Sequence, residues 1–403
     1  MKNLLSILVF VGVTGAITAL VVSKREATRY ENLLRISSAE WEAEKSKLET
    51  ELRAAQKPAR VATVVQPQIE TELKSGPREI LDSLKKLRAS SNDPKTARRI
   101  LHHLETLIDM GNSALPVIRE FLARNEEVFY ESSLPSSSKS AKDGKIQIDF
   151  VFPPSLRFGL LDAVRQIGGD DAEKLLAEVL STTGRGVEVG YLARVLQEMA
   201  PNKYRDLALS IARDLLAHPA AAGQPGGLDK YDRNFLFGVL LFYNDASFAQ
   251  QAQAGLIAAD GGVDTGALKY LQTALGEQAL PAVADAYKDP RILDAAKKEP
   301  LARLALNFAG ANAQADELYR AAINDAGLSV DQRRELIEDL NQDGFENLRN
   351  PTPRDLELVK NRLELINRYR NDVDHKVVVG AFKEAEKDLL KMLAKHANAS
   401  PKP

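Results

Sequence analysis

The stretch Asp339-Leu340-Asn341-Gln342-Asp343-Gly344-Phe345 sets side-chain oxygens at alternate positions ahead of a glycine. A hard cation such as calcium needs that pattern, because one short loop must wrap several oxygens around it and then turn sharply. Asp339, Asn341 and Asp343 would supply side-chain oxygens, Phe345 a backbone carbonyl, and Gly344 the turn. The twelfth position, which closes such a cage with a bidentate carboxylate, is Asn350. Asp355 takes that role only if Pro351 to Arg354 bulge outward. Three carboxylates brought together repel one another without a cation, so this loop is the candidate metal site and calcium the one candidate cofactor. A helix ended by a glycine among polar neighbours accounts for the same letters, and no cofactor is required.

The other constellations fall short of chemistry. Gly184-Arg185-Gly186 opens a helix, as phosphate-binding glycine loops do. The third glycine of a dinucleotide fingerprint would fall at Val189, however, and no strand precedes the stretch. The five histidines, His102, His103, His218, His375 and His396, are scattered. His102 and His103 are adjacent, so on a helix they point about 100° apart and cannot chelate as an i, i+4 pair. HExxH, GxSxG and Walker A patterns do not occur in the sequence. There is no cysteine, which excludes disulfides, thiolate zinc sites, cysteine nucleophiles and lipoprotein acylation. No catalytic residue is expected, and no enzymatic activity.

The elements that would position any site are helices. In Ser155–Leu180, Leu156, Leu160, Leu161, Val164 and Ile167 recur at steps of three and four, which makes one apolar stripe. Gly168-Gly169 ends that helix, Asp170 or Asp171 can cap the next, and Leu175, Leu176, Val179 and Leu180 form a second stripe. Similar units turn near Gly111, Gly168, Ala200, Asn244, Gly276 and Gly310. Their period is about 32–34 residues once insertions at 125–154 and 218–229 are set aside. Leu115-Pro116 and Leu280-Pro281 follow their turns at equal offsets, with proline in the first turn of a helix, where its missing N–H costs little.

A helix pair of this size cannot bury both faces alone, so neighbours must stack. Over residues 77–327 the chain resembles the HEAT/armadillo-like helical-repeat families. The resemblance implies an all-α fold, an α-solenoid of stacked helix pairs; an irregular helical bundle is the alternative. It also implies binding of protein partners more than catalysis. The loop at 339–345 resembles the opening of EF-hand and dockerin-type loops. After Leu328 the register is lost, and helices at 330–340, 353–370 and 375–395 read as a C-terminal helical cap over 328–396, followed by a tail at 397–403. Within the first insertion, Ile146, Ile148, Phe150 and Phe152 alternate like a strand.

The N-terminal region differs from all of this. Leu4 to Val22 carries no charge, and at about 1.5 Å per residue a helix of that length just crosses a hydrocarbon core. Residues 1–23 are therefore expected to be a transmembrane anchor through 4–22, with a cleaved signal peptide as the competing reading. The expected place is a single-pass protein of a bacterial inner membrane. Lys24, Arg25, Arg29 and Arg35 place the large domain on the cytoplasmic face by the positive-inside rule, whereas an exporting signal-anchor would reverse it. Residues 24–57 read as a charged helical stalk with a single narrow stripe (Ala27, Leu34, Trp41, Leu48, Ala55), and 58–76, with Pro58 and Pro67, as a linker.

The chain of 403 residues has 54 basic and 56 acidic side chains, a formal net of −2. That balance argues against a nucleic-acid partner, which usually meets a basic surplus. The expected function is a membrane-anchored helical-repeat scaffold or protein-binding module. The alternatives are an enzyme on a helical-repeat scaffold, of lyase or glycosylase type, and a purely structural envelope spacer.

Overall fold

The computed structural model describes residues 76–89, 93–130, 144, 152–219, 229–348, 350–373 and 375–397. Among them the fold is all-α. The only strand-like pairings there are two isolated antiparallel bridges, Phe129 with Ser155 and Ile257 with Val263. Residues Ser75–Pro403 form one compact unit. Its helices are α1 (Pro77–Lys86), α2 (Pro94–Asp109), α3 (Leu115–Ala123), α4 (Leu156–Ile167), α5 (Gly169–Thr182), α6 (Gly186–Met199), α7 (Arg205–Ala217) and α8 (Asp232–Phe242). They continue with α9 (Ala249–Ala254), α10 (Thr265–Leu275), α11 (Leu280–Tyr287), α12 (Glu299–Phe308), α13 (Ala313–Ile323), α14 (Val330–Glu338), α15 (Pro353–Tyr369) and α16 (Lys376–Ala397).

The apolar spacing explains both the helices and their packing. In α4, Leu160, Leu161 and Val164 are fully buried, and so are Leu176 and Leu180 of α5. Burying each such side chain contributes roughly 1.5–3 kcal/mol relative to exposure. The helices contact one another in two rows. In one row α2 lies on α4, α6 on α8, α8 on α10, α10 on α12 and α12 on α14. In the other α3 lies on α5, α5 on α7, and α11 on α13.

Turns fall where the sequence places them, with one shift. Gly111, Gly168, Asn244, Gly276 and Gly310 all have positive φ, the conformation that closes a helix C-terminus. Ala200 does not (φ −143), because a Cβ penalises it; Asn202, two residues on, takes the left-handed conformation at φ 63 instead. A second expectation is corrected at α5. Its N-cap is Gly168 and no side chain caps it; Asp170 and Asp171 sit inside its first turn, where they face the helix dipole.

Ion pairs also follow the period. Arg157 reaches Glu188 across 31 residues, Arg213 reaches Asp245 across 32, Arg233 reaches Asp264 across 31, and Arg303 reaches Glu335 across 32. Each pair therefore ties one helix pair to the next.

The first insertion is pinned at its base. The Leu156 N–H donates to the Val128 carbonyl at 2.9 Å, and the Tyr130 N–H to the Pro154 carbonyl at 3.1 Å. Apart from Phe152, the strand expected at 146–152 lies outside the described residues. So do the stalk at 24–57, all of the linker but Gly76, and all of the tail but Ala397. The assignment to a single-pass membrane protein is corrected. No helix among the described residues is long and apolar enough to cross a membrane, and residues 4–22 lie outside them.

Candidate functional site

Between α10, α12 and the 343–345 turn lies an open groove of about 890 Å³. Leu268 of α10 and Leu304 of α12 give it an apolar floor, with Phe308 and Phe345 beside them, both half-buried. Thr265, Gln272, Thr273 and Asn307 add neutral polar groups, and Arg303, Lys269, Arg354 and Asp343 add charge. The heptad-like spacing of α10 and α12 buries one face of each helix in the core and leaves the adjoining face to line the groove.

The turn that closes this groove is built around an arginine. Arg362 is fully buried, and four of its five N–H donors go to backbone carbonyls. Nε donates to Ala309 at 3.0 Å, Nη2 to Leu306 at 2.8 Å, and Nη1 to both Leu340 and Asp343 at 2.6 Å. These carbonyls lie where α12 and the 339–341 turn stop, and the Leu306 carbonyl also accepts the Ala309 N–H at 3.3 Å. The guanidinium also lies 4.9 Å from the centre of the Phe345 ring. Burial pushes its pKa down to about 10, so it remains a cation at neutral pH. Gly344 is required by this closeness. Its φ is +82, and a Cβ there would meet the Asn307 carbonyl oxygen at 2.2 Å and Arg362 Nη2 at 2.8 Å.

The residues expected to hold calcium have separate partners. Asp339 pairs with Arg303 at 2.5 Å. Asn341 Nδ2 donates to Asp388 at 3.2 Å, while its buried Oδ1 has no partner. Phe345 lies against Arg362. The buried Asp355 carboxylate accepts N–H groups from Glu346 at 2.8 Å, Asn347 at 3.2 Å and Thr352 at 2.8 Å, within a capping box at the start of α15. Asp343 alone is left with no hydrogen bond or ion pair to its carboxylate among the described residues. Among those residues, no group of three or more histidine, cysteine, aspartate or glutamate side chains is placed to hold a metal ion.

Asp355 has a pH signature. Burial raises its pKa, but the N–H groups of Thr352, Glu346 and Asn347 more than offset this and hold it below the usual aspartate value. A carboxylate depressed in the folded state stabilises above its unfolded pKa and loses that contribution as pH falls through the folded one. Asp355→Asn is therefore expected to destabilise by about 1–2 kcal/mol at pH 7. The gap to the unmodified protein should narrow below about pH 4. Urea unfolding at both pH values measures it, and a gap independent of pH contradicts this account.

A second charged cluster lies at the start of α6. Arg157 (3 % exposed) and Glu188 (0 %) form a pair, with Nε to Oε1 at 2.6 Å and Nη2 to Oε2 at 3.1 Å. Thr183 donates to Glu188 at 2.8 Å, and Arg157 Nη1 to the Leu122 carbonyl at 2.8 Å. Arg185, from the glycine-flanked motif, donates to Glu127, Glu188 and Asp229. The Val187 N–H donates to Asp232 at 3.0 Å. This helix N-terminus thus already holds a carboxylate of its own chain, where the motif suggested phosphate. Burial pushes Asp232 up to about 6. Gly186 is needed for packing, since a Cβ would lie 2.4 Å from the Asp232 carbonyl oxygen.

Arg362 and the Arg157–Glu188 pair escaped the motif search, yet the sequence carries a signal for each. Leu358, Val359, Leu365, Ile366 and Tyr369 form the buried stripe of α15, and Arg362 sits in its middle. Glu188 is the one acidic residue in the first turn of α6, a helix buried nearly all round. A charge on an apolar stripe marks a buried polar network.

Comparison of the chain with protein-family models, curated proteins and solved structures finds no match.

Proposed function

We propose that the chain is a helical-repeat scaffold of the HEAT/armadillo-like kind, an α-solenoid that binds a protein partner and carries no catalytic activity of its own. The observation that carries this reading is the open groove across α10 and α12, with its apolar floor and charged rim. Such a trough suits a segment of another protein laid across successive helices. The two rows of helices, and ion pairs spaced by one period, support the repeat reading. Neither charged cluster pairs a nucleophile with a base over a cleft, the arrangement a hydrolytic or lyase site needs.

A photo-crosslinking residue at the exposed Thr273 tests this in the full-length protein within its own cells. The expected result is one dominant crosslinked protein, lost when Thr265→Trp fills the groove and absent when the crosslinker stands at the solvent-facing Asp206 on α7. Equal yields from positions 273 and 206 would reject the groove as the binding surface.

A further inference from the structure

We propose that Gly144 and Gly238 form a clasp that fastens the first insertion to α8, and that this clasp opens to uncover a face of α6 and α8. The inference stands apart from the groove and from whatever binds there.

Gly144 belongs to the first insertion, yet it packs on a helix far along the chain. The fit leaves no space for a side chain on either partner. A Cβ on Gly144 would lie 2.0 Å from the Asn234 carbonyl oxygen, and a Cβ on Gly238 would lie 2.1 Å from the Gly144 carbonyl oxygen. Gly144 also has φ +67, in the left-handed region that a side chain disfavours. Gly238 sits inside α8, where alanine would be the better helix former. Helix propensity is given up at that position, and the close approach of Gly144 is what requires it.

The contact is built to release. Among the described residues, no hydrogen bond joins Gly144 to α8. Close packing holds it, and that attraction falls steeply once the surfaces part. Arg194 opposes closure. It lines the contact with Gly190, Ala193 and Phe242, and its guanidinium lies 5.1 Å from the centre of the Phe242 ring. It is half-buried, and no carboxylate among the described residues pairs with it. Burial holds its pKa below the ordinary arginine value. The closed contact therefore desolvates a cation without a counter-ion, and opening returns it to water. Ala193 is 1 % exposed, and the enclosed space has no room for a water molecule, so this face is dry while the clasp is shut. The base of the insertion is held separately, by the Val128–Leu156 and Tyr130–Pro154 hydrogen bonds, so the clasp can open without unfolding α4.

The chain has no cysteine, so Ala193→Cys places a single thiol beneath the clasp. Its reaction with a small disulfide reagent is followed in the full chain at increasing urea. Reaction through a local opening exposes little surface and should depend weakly on urea, whereas reaction through global unfolding rises steeply with it. Gly238→Ala and Gly144→Ala, each added to this variant, should speed the reaction by about tenfold, because the added methyl overpacks only the closed state. The midpoint of global unfolding should stay unchanged. Gly144→Ala leaves α8 as it is, so it decides the matter if Gly238→Ala disturbs the helix. Unchanged reactivity in Gly144→Ala overturns the inference. So does an acceleration that only follows a lowered unfolding midpoint, or a thiol that reacts no faster than global unfolding allows.

Discussion

Arg362→Met is expected to lower the stability of the folded chain by about 3–5 kcal/mol, the usual cost of removing one partner from a buried charged network. Methionine fills much of the volume but donates nothing. The carbonyls of Ala309, Leu340 and Asp343 would then stay without this donor, while that of Leu306 would keep the Ala309 N–H, and each unsatisfied group costs about 1–3 kcal/mol before relaxation. Lysine should rescue little. Its single ammonium cannot reach carbonyls on both sides of a planar fork. Urea unfolding of the three proteins measures the effect. A loss under about 1 kcal/mol for the methionine variant would mean that water reaches those carbonyls.

Glu188→Ala is expected to cost a similar amount, about 3–5 kcal/mol, because Arg157 would remain a buried cation with no counter-charge on its guanidinium and only the Leu122 carbonyl as acceptor. The informative comparison is the double replacement Arg157→Met/Glu188→Leu. With both charges gone, the desolvation cost disappears as well, so the double variant should be more stable than Glu188→Ala. It should still trail the unmodified protein by roughly 1 kcal/mol, because the Thr183 hydroxyl loses its acceptor, while the Leu122 carbonyl keeps the Asn125 N–H at 3.2 Å. If the double variant is as unstable as the sum of the singles, the two side chains act independently and the pair is not a unit.

The helices were legible in the sequence because their information is local. The stripes at Leu156–Ile167 and Leu175–Leu180, and the turns at Gly168, Gly276 and Gly310, depend only on neighbours within a few residues. The shift from Ala200 to Asn202 shows the limit, since only the backbone geometry reveals which of two nearby residues turns left-handed. The site was legible in part. Asp343, Gly344 and Phe345 do line the groove, yet the sequence assigned them to a cation held by a loop. Which carboxylates converge depends on partners far along the chain, such as Arg303 for Asp339 and Asp388 for Asn341. Arg362 could have been suspected from its place on an apolar stripe. Its four carbonyl acceptors, drawn from the end of α12 and the turn after α14, could not.

Four of the ion pairs spaced by one period share a direction. In Arg157–Glu188, Arg213–Asp245, Arg233–Asp264 and Arg303–Glu335, the cation always comes from the earlier unit and the acid from the later one. Lys203 and Glu173, 30 residues apart, run the other way, with the acid first. Here α14 pairs its Glu335 backward to Arg303, and α16 packs over α14. The Val330–Glu338 helix is therefore held from both directions along the chain, by Arg303 before it and by the last helix after it.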